Sequence, residues 1–419
     1  MKTSNILLKL GCVMKKIPVI LLFLISVSSV FAEYSIRTSL ININATNILV
    51  LTLSLLTLFH LLYIKKLKVT KLNILFVCLF LVGFSAFSTV VVDVADHLRT
   101  VVTLSKGLTV IVLLVYWLDQ YHDVKVVSIG LVAAGAFAVA GSALQGYFGI
   151  GHGFFPGTQS AGSRLPGLGL NLGIVRSPGF FEGFGLFGVY VETAALLSAA
   201  GFLAHGRRQG VPFVLSLVGV CLAGFGLILS QSRSGLFATL IGYTVFYLLS
   251  TYVYSRWSIF RLLPILLVLI TVSVTWEYIW QALFLLNTEA VYDRVEGYYS
   301  AISSIVKNPI FGIGFDGVQN KINYYHSVHS GYITMPLSSG LVSFGLYLYL
   351  NIEAVRGGVR CLDPTDVRSP LAIALLSAFA ATIVEVMLWG GGVFATAPYL
   401  LIGLLISLGQ SKSKHMAKS

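Results

Sequence analysis

The sequence predicts an all-α fold: a polytopic membrane bundle of about 12 transmembrane helices with a large loop on the outer side. Three observations predict it. Of the 419 residues, 56% are hydrophobic and only 11% are charged, whereas a soluble domain carries about 25% charged residues. The mean hydropathy is +0.87. Apolar runs of about 20 residues, the length that crosses a bilayer, recur along the whole chain.

The predicted spans are separated by short connections except at two places. They lie near 17–32, 45–64, 72–92, 100–118, 126–146, 181–204, 211–230, 235–254, 260–280, 331–351, 370–388 and 393–409. The first span follows Lys15 and Lys16 and ends in Ser-Val-Phe-Ala, which resembles a signal-peptide cleavage site. We expect this span to remain as a membrane anchor. Its removal, or a translation start at Met14, is the alternative.

Three regions follow from this map. Residues 1–280 hold the first nine spans and an outer loop at 147–180, residues 281–330 form a second outer loop, and residues 331–419 hold the last three spans and an inner tail. Long loops in compact bundles usually carry function. The second loop is expected to contain a helix near 290–306 that caps the bundle on the outer membrane surface. Its expected single apolar stripe consists of Tyr292, Val295, Tyr298, Tyr299, Ile302 and Ile305.

The net charge of +12 reports the orientation of the chain. With spans alternating from a cytoplasmic N-terminus, 19 of the 28 Lys and Arg residues fall on the inner side and 8 on the outer side, while Lys106 falls within a span. The positive-inside rule therefore supports twelve spans with both termini in the cytoplasm. In a soluble protein this charge would suggest nucleic acid, but here no nucleic-acid partner is expected.

Three arginines on the outer side, each near a membrane boundary, are candidates for binding an anion. Arg233 lies with Ser232 in the tight turn Gln-Ser-Arg-Ser-Gly, Arg294 lies in Tyr-Asp-Arg-Val-Glu-Gly, and Arg176 lies in Val-Arg-Ser-Pro-Gly-Phe-Phe-Glu. A guanidinium group can hold a phosphate or diphosphate through two parallel hydrogen bonds. The alternatives are contact with lipid headgroups and, for Arg294, a salt bridge to a neighbouring carboxylate.

A histidine pair precedes the tenth span. His326 and His329 lie in Tyr-Tyr-His-Ser-Val-His-Ser-Gly. Imidazole titrates near neutral pH, so it is suited to take a proton from a hydroxyl group; the alternative is a hydrogen-bonding cap. If the tenth span packs beside the seventh and eighth, His329 and Arg233 lie at one level. Glu296 and Asp316 are further candidates for the base, as is His326.

Three charged residues fall inside predicted spans: Lys106, Glu192 and Glu385. Charges in lipid are costly and are usually functional or paired. We expect Lys106 to form a structural ion pair with Glu192 or Glu385. The alternative is a polar lining for a glycan or a path for protons.

In order and spacing, these segments resemble the O-antigen ligase and O-antigen polymerase superfamily. Leu-Ser-Gln-Ser-Arg-Ser-Gly at 229–235 is similar to the family's Ser-x-Ser-Arg-x-x turn. Asn-Pro-Ile-Phe-Gly-Ile-Gly at 308–314 is similar to its Pro-Leu-Phe-Gly-x-Gly segment, which follows an arginine as it follows Arg294 here. His329, ten residues and then Gly340 resemble its next motif.

The segment that begins at Arg176 is also similar to the family's Arg-x-x-Gly-x-Phe sequence. The resemblance covers roughly residues 170–350, and the N-terminal spans match in hydropathy only. One departure is that many members have His-Asn where this chain has His329-Ser330.

The resemblance implies a GT-C-like membrane glycosyltransferase that takes its glycan from a polyprenyl diphosphate, with an active site facing the periplasm of the bacterial inner membrane. It implies that Arg233, Arg294 and His329 are catalytic and that Arg176 binds substrate. Ser232 and His326, which lie beside these residues, are further substrate-binding candidates.

The expected donor is a glycan linked to undecaprenyl diphosphate, and the expected acceptor is a sugar hydroxyl, attacked with inversion. We favour a surface-polysaccharide (O-antigen) polymerase, because the segment of Arg176 and the Gly-rich loop before it are more similar to that group. An O-antigen ligase of lipopolysaccharide biosynthesis, with lipid A-core as acceptor, and a protein O-glycosylating enzyme are the alternatives. No cofactor or metal is expected, since arginines would neutralise the leaving group.

Membrane lipid and other polysaccharide-assembly proteins are candidate partners. A secondary transporter is a more remote alternative, which the lack of an internal repeat disfavours.

Overall fold

A computed structural model of the chain describes residues 16–31, 36–37, 42–64, 69–87, 91, 93–147, 184–204, 217–221, 224–226, 233–254, 288–315, 328, 330–388 and 395–411. In these ranges the longer helices are α1 (Lys16–Phe31, ending in a 3-10 turn), α2 (Ala45–Ile64), α3 (Val69–Ala86), α4 (Val94–Trp117), α5 (Tyr121–Tyr147), α6 (Phe184–Ala204), α7 (Arg233–Tyr254), α8 (Thr288–Lys307), α9 (Gly331–Val359), α10 (Ser369–Leu388) and α11 (Thr396–Gln410). A two-residue antiparallel pair, β1 (Ile36–Arg37) and β2 (Asn42–Ile43), precedes α2.

The helices coincide with the predicted apolar segments. Most helices begin and end within a few residues of a predicted span, while α9 continues eight residues beyond the predicted end at 351. Among the described helices, α2, α4, α5, α7, α9 and α10 are long and apolar enough to cross a membrane, and α1, α3, α6 and α11 are shorter apolar helices. The architecture is that of a multi-pass helical membrane protein. The predicted span at 260–280 lies outside the described residues.

One end of the bundle, here called the Arg368 end, is held by basic side chains on helix C-termini. The Arg368 guanidinium donates to the carbonyl groups of Leu408 (3.3 Å) and Ser411 (2.7 Å) at the end of α11. It also binds both carboxylate oxygens of Asp366, and these hydrogen bonds raise the pKa of Arg368. Lys71, near the start of α3, donates to the last turn of α4. These contacts match cations to the negative ends of helix dipoles.

The opposite end, here called the His97 end, joins the start of α4 to the end of α3. The His97 ring bonds to the carbonyl group of Ala86 at 3.2 Å. Glu385, near the end of α10, likewise meets Ser234, near the start of α7. Helices α3 and α4 therefore run in opposite directions, as do α7 and α10.

Among the described helices, two groups of four pack closely together. In the first, α11 packs against α4 and α9, and α3 packs against α4 and α9; in the second, α6 packs against α5, α7 and α10, and α10 packs along α7. Close approach depends on small residues. A Cβ on Gly135 of α5 would overlap Ala194 of α6, and a Cβ on Gly242 of α7 would lie 3.0 Å from Ala381 of α10. This second group carries Glu192, Ser234 and Glu385.

Candidate functional site

The segment after α8, residues 308–315, docks on the first turns of α9 through its backbone. The N–H groups of Ile313 and Gly314 donate to the carbonyl groups of Leu337 (2.8 Å) and Ser338 (2.9 Å). In return, the N–H group of Leu341 donates to the carbonyl group of Pro309 (2.7 Å). This segment is the Asn-Pro-Ile-Phe-Gly-Ile-Gly motif, so the motif is an interhelical backbone clamp.

The clamp exists because α9 is broken near its start. Gly340 has φ 81° and ψ 169°, so the helical hydrogen-bond ladder is interrupted there, four residues after Pro336. The groups that the break frees are the carbonyls of Leu337 and Ser338 and the N–H of Leu341, and all three bond to the docked segment. Irregular backbone in a membrane protein needs such partners, since lipid offers none.

Two glycines make this approach possible. Gly312 has φ 66°, and a Cβ there would lie 2.6 Å from the carbonyl oxygen of Leu337. A Cβ on Gly340 would overlap the carbonyl group of Ile310. Both glycines combine a left-handed φ with backbone contact, which explains why the Phe-Gly-x-Gly segment and the later glycine occur together in this chain.

His97 holds the far end of the docked segment, a role that the sequence analysis missed. Its Nδ1 accepts the N–H of Phe315 at 3.1 Å, so in the neutral ring Nε2 carries the hydrogen donated to Ala86. The ring is 2% exposed and stacks on the Phe315 ring at a centroid distance of 5.7 Å. The available signal was a helix start: Asp93 accepts the N–H groups of the first turn of α4, and this places His97 at the helix end.

Helix α8 confirms the predicted helix near 290–306. At about 3.6 residues per turn, Val295, Tyr298, Tyr299, Ile302 and Ile305 lie on one side of this helix, as the predicted stripe requires. One edge of the stripe, formed by Tyr298 and Ile305 with Ala301 beside them, packs with Ile313 and Leu337 of the clamp. The other edge is exposed, with Tyr299 78% exposed, so the docked segment covers only part of the stripe.

The clamp is the first part of the candidate site, and the second part is a pair of buried glutamates beside the start of α7. Ser234 Oγ donates to Glu385 Oε1 at 2.8 Å. Glu385 and Glu192 are both fully buried. They flank Gly188 on α6, where an added Cβ would lie 3.4 Å from Glu192 Oε1 and 3.7 Å from Glu385 Oε1. The Cα atom of Gly235 lies 3.8 Å from the same Cβ position. Two buried carboxyl groups therefore lie against the first turn of α7.

The predicted ion pair of Lys106 with Glu192 or Glu385 is wrong. Both carboxylate oxygens of Glu192 and Oε2 of Glu385 have no hydrogen-bond partner within the part of the chain that the structure describes. Lys106 lies on α4, which packs against α2, α3 and α11, whereas the two glutamates lie on α6 and α10. The helices between them separate the opposite charges.

Two of the predicted site residues lie in described helices. Arg233 is the first residue of α7, and Arg294 lies in the second turn of α8. Nothing is described for their side chains. The remaining four lie outside the described residues: Arg176, Ser232, His326 and His329.

The structure does not show the arrangement in which the tenth span packs beside the eighth. Among the described helices, α9 packs against α3, α8, α10 and α11, and α10 is the helix that contacts both α9 and α7. Glu385 is on this intermediate helix. Both parts of the site therefore lie at the His97 end, joined through α10.

No group of three His, Cys, Asp or Glu side chains suited to a metal ion occurs within the described ranges. No protein-family model matches the chain, and no curated protein matches it.

Proposed function

We propose that this protein is an inner-membrane glycosyltransferase that moves a glycan from undecaprenyl diphosphate to a sugar acceptor on the periplasmic side, as a surface-polysaccharide polymerase. It is a GT-C-like bundle of twelve spans in this proposal. The supporting observation is the backbone clamp, because one contact joins the two segments that carry the resemblance in this chain, the Pro-x-Phe-Gly-x-Gly segment and the glycine 26 residues after it.

Both parts of the site support a common location. The clamp ties α8, which carries Arg294, to the start of α9, which follows His329. The Ser234 bond ties the start of α7, which carries Arg233, to α10. All of these elements are at the His97 end, which the charge distribution assigns to the outer side.

The mechanism follows from the chemistry available outside the cytoplasmic membrane. The donor must carry its own activation, and a diphosphate is a good leaving group. Arg233 and Arg294, with Arg176, bind the diphosphate and stabilise the charge that develops as the C1–O bond breaks. His329 takes the proton of the acceptor hydroxyl, which attacks C1 with inversion. Ser232 and His326 contribute to substrate binding.

The test is glycan transfer in vesicles that contain the lipid-linked donor. We expect Arg233→Ala, Arg294→Ala and His329→Ala each to lower the rate by at least about 100-fold, the scale of losing a charge-stabilising or proton-transferring group. Arg356→Ala is the matched control, since Arg356 pairs only with Glu353 in the described structure and is 59% exposed at the opposite end. Near-normal transfer by correctly inserted variants of the first three would reject the assignment.

Arg233→Lys gives a sharper result. It keeps the charge and removes the planar donor pair, so a bidentate diphosphate contact predicts a loss close to that of Arg233→Ala. Contact with lipid headgroups predicts little loss, because lysine also reaches them.

The acceptor separates polymerase from ligase. A strain that lacks a polymerase makes lipid A-core with a single repeat unit, whereas a strain that lacks a ligase makes unmodified core and retains the glycan on undecaprenyl diphosphate. Lipopolysaccharide gels of a deletion strain distinguish the two patterns.

A secondary transporter is the second candidate, and the buried carboxyl pair Glu192 and Glu385 favours it, since intramembrane acids often bind transported protons or cations. Solute flux in proteoliposomes without any lipid-linked donor would support transport. Glycan transfer without such flux would support the glycosyltransferase.

A further inference from the structure

Glu192 and Glu385 form the most unusual polar pair in the described bundle. Both side chains are fully buried, and they face the same glycine from two helices. Three of their four carboxyl oxygens have no hydrogen-bond partner among the described residues. The fourth, Oε1 of Glu385, accepts the hydroxyl of Ser234 at 2.8 Å.

Two carboxylates cannot both be charged in such a site. Burial disfavours each charge, and a like charge nearby disfavours it further. A pair that holds one proton avoids this cost, since the protonated carboxyl keeps a donor and its neighbour keeps the single charge. The remaining charge is best placed on Glu385, because this residue receives a hydrogen bond and lies at the N-terminal, positive end of α7.

The contact of Glu385 reaches the residue next to Arg233. Ser234 follows Arg233 directly in the first turn of α7, and Gly235 packs on Gly188 between the two acids. A hydrogen bond from α10 to this turn fixes the direction in which the chain enters the helix. The orientation of that turn sets the direction of the Cα–Cβ bond of Arg233.

We propose that Glu385 is a positioning residue for Arg233, which it orients through the hydroxyl of Ser234, and that Glu192 holds the proton that allows the two acids to lie together. This inference rests on the proposed function, in which Arg233 binds the diphosphate of the donor. It assigns a use to two intramembrane acids that the mechanism otherwise leaves idle.

The first test is a double-mutant cycle in the glycan-transfer assay. Ser234→Ala and Glu385→Ala should each lower kcat/KM by about tenfold, the scale of losing one buried hydrogen bond to a charged group. If the two residues act through the same hydrogen bond, kcat/KM of the double variant should be no lower than that of the less active single variant. Losses that multiply would overturn the proposal.

Glu385→Gln is a conservative variant that tests the same hydrogen bond without leaving a cavity in the bundle. Its amide oxygen can still accept the Ser234 hydroxyl, so we expect activity within about twofold of the parent. Glu192→Gln replaces a neutral carboxyl by a neutral amide and should also retain activity. A large loss in Glu192→Gln would show that its charge is needed and would overturn the assignment of the proton to Glu192.

Thr239→Val is the matched control. Thr239 lies on α7 as Ser234 does, is buried, and donates only to the carbonyl group of Gly235 within its own helix. A loss equal to that of Ser234→Ala would mean that any missing hydroxyl in α7 has the same effect, and it would refute a specific role of Ser234.

The kinetic parameters separate positioning from packing. Ser234→Ala should raise KM for the lipid-linked donor more than it lowers kcat, and it should have no further effect in an Arg233→Lys background. Equal effects in both backgrounds would refute the link to Arg233. If the parent protein transfers no glycan at all, the proposed function fails; if the parent is active and these variants are normal, only the positioning role fails.

Discussion

Gly340 offers the most direct test of the backbone clamp, through the substitution Gly340→Ala. At φ 81° and ψ 169° the residue occupies a region that side chains avoid. Forcing alanine there has a cost of about 1–3 kcal/mol. The new methyl group would also overlap the carbonyl group of Ile310, which is backbone and cannot rotate away. The docked segment has to move for alanine to fit.

Moving the segment breaks the clamp. The three hydrogen bonds made by Ile313, Gly314 and Leu341 are lost together, and each contributes about 0.5–1.5 kcal/mol. The docked state should thus be destabilised by about 3 kcal/mol or more relative to the undocked state. Because about 1.4 kcal/mol is a factor of ten, the undocked fraction should rise by roughly 100-fold.

Trypsin cleavage after Lys307 measures this fraction. Lys307 ends α8 and is exposed, directly before the docked segment. When opening and closing are fast, the cleavage rate follows the open population, so cleavage in detergent should become roughly 100-fold faster in Gly340→Ala. The fragments identify the site by their mass.

Gly345→Ala is the matched control, on the same helix five residues further. A Cβ at Gly345 would meet nothing within 4 Å, and alanine favours a helix by up to about 1 kcal/mol. Its cleavage rate should therefore equal or fall below that of the parent. If Gly340→Ala is cleaved no faster than Gly345→Ala, the clamp does not depend on the glycine conformation, and the reasoning is refuted.

Three further predictions use the same protein preparation. His97→Ala removes the acceptor of the hydrogen bond from the N–H of Phe315, a cost of about 1–3 kcal/mol, so cleavage in the docked region should accelerate roughly tenfold; an unchanged rate would show that the bond to His97 does not hold the segment. Arg368→Lys should lower the thermal midpoint by a few degrees because one ammonium cannot replace the several bonds of the guanidinium, whereas exposed Arg356→Lys should not. Burial raises the pKa of the Cys361 thiol to about 11, so at pH 8 about one part in 1,000 is thiolate; maleimide should label Cys361 only after denaturation, and equal labelling of the folded protein would contradict this.

The helices were predictable because their signal is local. An apolar run of about 20 residues can satisfy its backbone in lipid only as a helix, and α2 and α10 begin and end within one residue of the predicted bounds. For α8 the sequence predicted less. Its periodicity identified the helix and its apolar stripe, but which apolar residues are covered depends on a neighbouring segment, and periodicity carries no information about that segment.

The site was predictable only in pieces. The sequence marked the turn around Arg233, where Ser232 rather than Ser234 was the candidate, and it marked Glu385 by its charge in an apolar run. Ser234 and Glu385 are 151 positions apart, and no local rule joins them. Lys106 was the expected ion-pair partner of these acids only because its charge is opposite. In the structure it lies in a different group of helices. His97 was overlooked because a single histidine at a helix start has no pattern; its role follows from the carbonyl and N–H groups that surround it.

The two ends of the described bundle differ in how their charges are paired, and this difference supports the proposed location of the site at the His97 end. At the Arg368 end, Arg368 pairs with Asp366 and Lys71 pairs with Asp119, so each buried cation has an acid beside it. Toward the His97 end, two buried acids have no cation among the described residues. A purely structural bundle would gain stability by replacing such a pair with apolar side chains. Two buried acids without a described cation, beside the turn of Arg233, together with a broken helix, are departures from stable packing of the kind that proteins concentrate at functional sites.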